Sequence, residues 1–349
     1  MNKLKIIVAL VAGLFAFTSV NAGEVSVTGS MQATYQNEVD SVTGNPLGMN
    51  TDLTFSGSQD TDFGAVTWTM ATDGTFLGGA TGNANGNDHS LKIATSVGTF
   101  GLANSGDAAN AVDDITPSAF EEANGAGSGT YSADVGSGMD GSMSLSFANG
   151  DLMGTGVSVA YNYYPKLDGT TNNEKGASGA ANGATRSAQS INVGIPMTSV
   201  PFVNATPLSA MKITAGYESM DSTVTDAQMK AGGTVAVTLP VGPLSVGYQT
   251  KAYQSVGTSI LEGQDAFFRD EILGIAYAVN DAFAISYNIY ESDKHDHTAG
   301  EVQQETKAVN IAYTIGGLTL GFQDAKTSNA GYATGTDDDS RTISLKTAF

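Results

Sequence analysis

The last nine residues of the chain, 341–349, read RTISLKTAF. Ile343, Leu345, Thr347 and Phe349 share one parity, whereas the residues between them are polar or small. Side chains in a β-strand alternate between two faces, so this pattern predicts a strand with one apolar and one polar face. The printed sequence ends on the aromatic residue.

The same period of two recurs along most of the chain, in segments of about 10 residues separated by turn residues. Counting these segments predicts about 16 strands, which falls in the size range of transmembrane barrels. The predicted strands are 24–36, 50–58, 65–76, 88–97, 99–104, 141–148, 156–164, 188–195, 210–219, 228–239, 244–254, 269–279, 282–291, 305–315, 318–324 and 341–349.

The connections between these segments sort by length. If long and short connections alternate, the short ones fall on one rim, with 196–209 as the exception. The long ones fall on the other rim, at 37–49, 77–87, 105–140, 165–186, 220–227, 255–268, 292–304 and 325–340. An even-stranded membrane barrel with both termini on the short-turn side requires this sorting.

The first 22 residues have the features of an export signal. Lys3 and Lys5 precede an apolar run at 6–17, and Ala22 ends a stretch of small residues suited to cleavage. The run is shorter than the roughly 20 residues that a spanning helix needs. We therefore expect a signal peptide at 1–22 and one barrel domain at 23–349.

Composition excludes several classes. The chain has 43 glycines, no cysteine and 14% charged residues, and its mean hydropathy is −0.07. These values fit neither a membrane helix bundle nor a disulfide-stapled domain. The formal charge is −20, and removal of Lys3 and Lys5 leaves 13 basic and 35 acidic residues, or −22. So acidic a chain would repel a polyanion, which argues against a nucleic-acid partner.

The connection 105–140 is the longest, and alternation is lost throughout it. Long segments without regular structure in a compact fold are usually functional or disordered. This one holds seven carboxylates and no lysine or arginine. Ser118 and Glu121 have the spacing of a helix cap, which predicts a short helix at 117–121.

The closing strand with its terminal Phe349, the sorted connections and the acidic third long connection together resemble a general-diffusion porin of the Gram-negative, alphaproteobacterial type. The resemblance implies an all-β fold, a transmembrane antiparallel β-barrel of about 16 strands. It also implies short periplasmic turns, long external loops and a third long loop folded into the pore. It further implies outer-membrane lipid and lipopolysaccharide around a homotrimer, and a role for Phe349 as an assembly signal. The family often sets a cluster of arginines opposite that loop. The arginines of this chain are Arg186, Arg269 and Arg341, and the strand parity places none of them clearly in the lumen.

Charged residues on the polar parity are candidates for the pore lining. The acidic loop offers a constriction of Asp107, Asp113, Asp114, Glu121 and Glu122. The pore wall offers basic residues predicted to point inward, at Lys92, Lys212, Lys230, Lys251 and Lys346. For any single lysine the alternative is a solvated wall residue without a special role. Together with the acidic loop, they predict a transverse field and weak cation selectivity.

These observations predict a water-filled channel for passive diffusion of small hydrophilic solutes and ions, and not an enzyme. A substrate-specific outer-membrane channel, a surface adhesin or structural β-protein, and a barrel lipase or protease remain as alternatives. No cofactor is expected, except that Asp337, Asp338 and Asp339 are a hypothetical calcium site, because calcium takes clustered carboxylate oxygens. A solvated acidic loop tip is the alternative there.

Overall fold

The computed structural model describes residues 25–38, 45–73, 87–104, 106–123, 139, 142–167, 187–203, 206–221, 230–254, 267–296 and 300–349. The predicted signal peptide at 1–22 lies outside these residues. The described residues form sixteen strands: β1 Val25–Glu38, β2 Leu47–Thr61, β3 Gly64–Asp73, β4 Asn87–Thr95, β5 Gly98–Ala103, β6 Ser144–Asn149, β7 Ser158–Tyr164, β8 Ala188–Pro196, β9 Lys212–Met220, β10 Lys230–Val241, β11 Leu244–Gln254, β12 Phe267–Asn280, β13 Phe283–Asp296, β14 Gly300–Ile315, β15 Leu318–Ser328 and β16 Asp338–Ala348.

The strands close into one antiparallel barrel in which every strand pairs with its neighbours in sequence. The first and last strands form the seam, with Tyr35 opposite Ile343 and Ser30 opposite Ala348. Gly29 and Phe349 exchange two backbone hydrogen bonds of 2.9 Å at the end of this seam. Closure pairs the edges that an open sheet would leave exposed. The predicted barrel and its strand count are confirmed.

Each predicted strand corresponds to one observed strand, but several of the predicted ends are wrong. Strand β13 continues to Asp296 instead of 291, and β14 begins at Gly300 instead of 305. These extensions are polar, so hydropathy alone did not mark them as strand. The ladder continues there because each backbone group finds its partner on the next strand, which outweighs the weak β-propensity of the residues.

The barrel is apolar outside and polar inside. Tyr35 and Trp68 lie on the outer parity and are 45% and 40% exposed in the isolated chain. On the inner face, Asn310 donates to Asn288 and Gln323 donates to Asn310, both at 3.0 Å. These three amides are at most 1% exposed. The buried residues of the inner face therefore include a chain of hydrogen-bonded amides, since a buried polar group is stable when it is paired. Beside them lies a buried apolar cluster of Ile272, Tyr290, Ala308 and Ala325.

The wall has uneven height. Strands β5, β6 and β7 have six, six and seven residues, whereas β12, β13 and β14 have 14, 14 and 16. No helix in the described part of the chain is long and apolar enough to cross a membrane.

Candidate channel constriction

Residues 106–123 of the long connection between β5 and β6 lie inside the barrel and follow its wall from β7 to β15. At the start, Tyr164 of β7 donates its hydroxyl to the carbonyl of Gly106 at 3.3 Å. At the other end, Gln323 of β15 donates to the carbonyl of Glu122 at 3.1 Å. The predicted inward fold of this constriction loop (residues 105–140) is confirmed for the described part. The inner faces of β16 and β1 to β6 form the opposite side of the lumen.

Asp107 anchors the beginning of the constriction loop. Its carboxylate accepts hydrogen bonds from the backbone N–H groups of Ala109 at 2.7 Å and Asn110 at 3.1 Å. The hydroxyl of Tyr164 donates to it at 3.2 Å. Burial raises the pKa of Asp107, and these hydrogen bonds oppose the increase. Because Asp107 is only 3% exposed, it serves loop geometry and not the lining of the lumen.

Two amide side chains of the wall hold the loop by its backbone. Gln249 of β11 donates to the carbonyl of Val112 at 2.9 Å and accepts from the N–H of Ile115 at 3.1 Å. Asn288 of β13 donates to the carbonyl of Pro117 at 3.1 Å. The loop path therefore depends on residues of the wall. Sequence analysis missed these residues, although both have the inward parity of their strands.

Lys251 of β11 lies beneath the loop and pairs with it. Its ammonium is 3.2 Å from Asp113 Oδ2 and 3.1 Å from Asp114 Oδ1. The side chains of Lys251 and Asp113 are 2% and 4% exposed, whereas that of Asp114 is 38% exposed. The inward direction predicted for Lys251 is correct. However, its ammonium compensates the charge of Asp113 and Asp114 at the contact between loop and wall. It does not face the loop from the opposite side of the lumen.

Glu121 and Glu122 lie near the end of the segment 106–123. Burial raises the pKa of Glu122 to about 7, with a second contribution from the negative charge of Asp114. The hydroxyl of Thr116, which donates at 3.0 Å, and the charge of Lys251 act in the opposite direction. Burial also raises the pKa of Glu121, and the charge of Lys346 lowers it. The loop is therefore less negative at neutral pH than its carboxylate count indicates, and Glu122 titrates there.

The short helix predicted at 117–121 is not formed. Ser118 donates its hydroxyl to the carbonyl of Glu121 at 2.6 Å instead of capping a helix. The N–H of Ala119 donates to the hydroxyl of Ser286 on β13 at 2.9 Å. Side-chain hydroxyls of the wall and of the loop itself therefore bind the backbone of this segment in a non-helical conformation.

The other predicted lysines separate into two groups. Lys92, Lys212 and Lys346 lie on the inner parity of their strands and are exposed. Lys230 is 3% exposed, and its ammonium lies 3.3 Å from Glu218. Burial, which the sequence did not reveal, therefore removes Lys230 and Lys251 from the open lumen and leaves three of the five predicted lysines exposed on the inner face.

No family model and no curated protein matches the sequence. Solved structures match over nearly the whole chain. A porin refined at 1.8 Å resolution has 12% identity and a TM-score of 0.61, with 93% of this chain and all of that chain covered. Outer-membrane expressed OmpT of Vibrio cholerae has 11% identity and a TM-score of 0.63, with 95% and 99% covered. A mutant of Rh. blastica porin has 14% identity and a TM-score of 0.57, with 93% and 100% covered.

The chain has the porin fold. At these identities the likeness establishes the architecture, and the side chains of the porin-fold barrel carry the argument about its chemistry. Within the described residues, no group of three or more His, Asp or Glu side chains is arranged to hold a metal ion. Asp338 and Asp339 are neighbours in β16, so they point to opposite faces, and Asp339 lies 3.6 Å from Lys326. The calcium site at Asp337, Asp338 and Asp339 stays a prediction.

Proposed function

We propose that this protein is an outer-membrane porin, a water-filled channel through which small hydrophilic solutes and ions diffuse passively. The observation that carries the proposal is a closed barrel with a polar inner face, along half of which an acidic loop is fixed. A loop in the lumen adds nothing to the lipid-facing surface. Its attachment to the inner wall is therefore best explained as a way to narrow the passage through the barrel. In this proposal the protein has no enzymatic activity.

Two features make a barrel enzyme or a surface adhesin weaker explanations. Asp88, His89 and Ser90 are consecutive in β4, so His89 points away from the other two and cannot relay protons between them. His89 instead borders an outer depression with Trp68 and Leu91. An adhesin or structural β-protein leaves unexplained why the constriction loop packs against the inside of the wall. A substrate-specific channel would have the same architecture and differ in solute preference.

We further propose that the barrel is exported through the periplasm and assembles as a homotrimer among outer-membrane lipid and lipopolysaccharide. A six-residue strand is about 20 Å long, less than the roughly 25 Å apolar band of a membrane barrel. The low wall at β5 to β7 therefore suits contact with protein better than contact with lipid. An apolar depression lies beside it, lined by Trp68, Met70, His89, Leu91, Leu102 and Met143. One comparable OmpT structure is described as a trimer form.

The channel is expected to prefer cations weakly. The chain without residues 1–22 has a formal charge of −22. In the constriction loop, Glu121 contributes a carboxylate, while the positive charge of Lys251 is already paired with Asp113. Protein purified into a planar bilayer should give discrete conductance steps and a reversal potential of cationic sign under a salt gradient. Glu121→Gln should shift the reversal potential toward anions.

The control for this measurement is Asp337→Asn, which removes an equal charge from an exposed residue outside the loop. A protein that gives no conductance steps would overturn the channel function. A shift caused by the Asp337 variant and not by the Glu121 variant would place the selectivity elsewhere than in the constriction loop.

Cation preference is expected to depend on pH through Glu122. With a pKa raised from 4.5 to about 7, this residue is neutral at pH 5 and negative at pH 9, so the preference should increase across that interval. Because the pKa is raised, the protonated residue stabilises the seated loop, and that contribution is lost as the pH rises through about 7. Reversal potentials at about 0.1 M salt, where the Debye length is about 10 Å, provide the measurement.

Glu122→Gln is the matched variant for this pH series, because it keeps the shape of the side chain and removes its titration. It should flatten most of the change between pH 5 and pH 9. An undiminished pH dependence in this variant would assign the titration to another group.

A further inference from the structure

Four inward-facing positions of the wall beneath the constriction loop are glycines: Gly216 in β9, Gly247 in β11, Gly274 in β12 and Gly321 in β15. A Cβ atom built on any of them would lie closer than 3.0 Å to an atom of the loop. The atoms it would meet belong to Val112 above Gly216, to Pro117 above Gly247 and Gly274, and to Phe120 above Gly321.

Glycine is an unfavourable residue within a β-strand. It lowers the stability of a strand relative to alanine, because its backbone loses more conformational freedom on folding. Glycine within a strand often marks a place where another backbone approaches closely. Gly247 and Gly274 are also direct partners across β11 and β12. Their missing side chains leave a groove in the inner wall that is two strands wide below Pro117.

The groove and the wall amides act on the same segment of the loop. Asn288 pairs directly with Gly274 in the sheet and holds the carbonyl of Pro117 at 3.1 Å. Gln249, two residues after Gly247, holds the carbonyl of Val112 at 2.9 Å. The amides fix where the loop lies along the wall, and the missing side chains allow it to lie close to the wall.

We propose that Gly216, Gly247, Gly274 and Gly321, the glycine seat, are positioning residues that set the width of the channel by determining how far the loop stands from the wall. This inference rests on the proposed channel function. A side chain added to the seat must move the loop toward the opposite wall, because Pro117 and Phe120 occupy the space that the side chain needs. The seat therefore acts on solute size, while charged residues such as Glu121 act on ion preference.

The decisive test exchanges volume between Gly321 and Phe120. The ring of Phe120 lies over Gly321, with its Cδ2, Cε2 and Cγ atoms all within 3.0 Å of a Cβ built there. Gly321→Val should lower single-channel conductance and exclude the larger members of a polyethylene glycol series. Phe120→Ala should raise conductance. The double variant should return both measurements toward wild type, because the valine fills the space left by the ring.

Two further variants test whether the change in conductance arises from the contact between loop and wall. Gly274→Ala should also lower conductance, because its Cβ would lie 2.7 Å from the backbone oxygen of Pro117, which cannot rotate away. Gly233→Val is the control for loss of glycine from a strand, since a Cβ at Gly233 meets only ordinary contacts of 3.6 Å and 4.0 Å. This control should conduct like wild type. The proposed role of the glycine seat would be wrong if Gly321→Val and Gly274→Ala both had wild-type conductance. It would also be wrong if the double variant conducted no better than Gly321→Val.

A distance measurement separates the seat from the channel function. The chain has no cysteine, so cysteines introduced at Ala119 in the loop and Thr67 on the opposite wall can carry spin labels without competing sites. Gly321→Val and Gly274→Ala should shorten the distance between the labels, and Gly233→Val should leave it unchanged. If no variant conducts but the distance shortens, the channel function fails and the seat stands. If the distance is unchanged, the seat fails.

Discussion

Replacing Lys251 by methionine is expected to release the constriction loop from the wall of an otherwise intact barrel. The ammonium lies within 3.2 Å of carboxylates on both Asp113 and Asp114, and Lys251 and Asp113 are almost completely buried. Removing one partner of a buried ion pair typically costs about 3–5 kcal/mol, because a charge stays in a site that no longer compensates it. The barrel strands keep all their backbone hydrogen bonds, so the cost falls on the loop.

The expected result in bilayers is an unsteady channel with frequent transitions between conductance levels, and in solution a faster proteolytic cut within residues 105–140. The unfolding temperature of the barrel should change little. Lys92→Met is the matched control, since it deletes the same charge from an exposed position on the opposite side of the lumen. It should shift ion selectivity and leave the channel steady.

Adding Asp113→Asn to Lys251→Met tests the cause. Asp113→Asn removes the buried carboxylate that Lys251→Met leaves uncompensated, whereas Asp114 is 38% exposed and can be solvated. The double variant should therefore be steadier than Lys251→Met alone. If Lys251→Met behaves like Lys92→Met, the ion pair contributes charge and does not hold the loop.

Replacing Phe349 by aspartate is expected to reduce strongly the amount of folded barrel that cells accumulate. Phe349 pairs with Gly29 through two backbone hydrogen bonds, and a Cβ built at Gly29 would lie 2.7 Å from the ring. Phe349 is nevertheless 68% exposed in the isolated chain, so its replacement removes few contacts within the finished barrel. A large loss of folded protein would therefore indicate a role for this residue during assembly, before the seam is complete.

Phe63→Asp is the control, because Phe63 is 69% exposed and lies in the turn between β2 and β3, away from the seam. The measurement is the heat-modifiable fraction in outer membranes, compared with refolding of the same variants into detergent. We expect Phe349→Asp to refold in detergent and fail in cells, and Phe63→Asp to succeed in both. Equal accumulation of the two variants in cells would contradict an assembly role.

Sequence alone determined the barrel, because the direction of a strand side chain is a local property with a period of two. The closing strand illustrates this: the alternation of Ile343 and Leu345 with Thr342 and Ser344 predicted which face each residue occupies, and the structure has Thr342 and Ser344 buried and the other two exposed. Turn residues between such segments then predicted the number of strands. The ends of β13 and β14 were missed, since pairing with a neighbouring strand extends polar residues that no local pattern marks.

Sequence also predicted which residues face inward, but only the tertiary structure decided what each one does there. Lys92 and Lys251 have the same residue type and the same parity, yet one is exposed and the other is 2% exposed beneath the loop. The difference arises from contacts between residues far apart in the chain, such as the hydrogen bond between Ile115 and Gln249, which are 134 positions apart. The depth of the loop likewise depends on Gly247 and Gly274, whose missing side chains gain a meaning only when Pro117 lies above them. Local periodicity contains no information about such pairs, because their energy appears only after the barrel has closed and the loop has entered it.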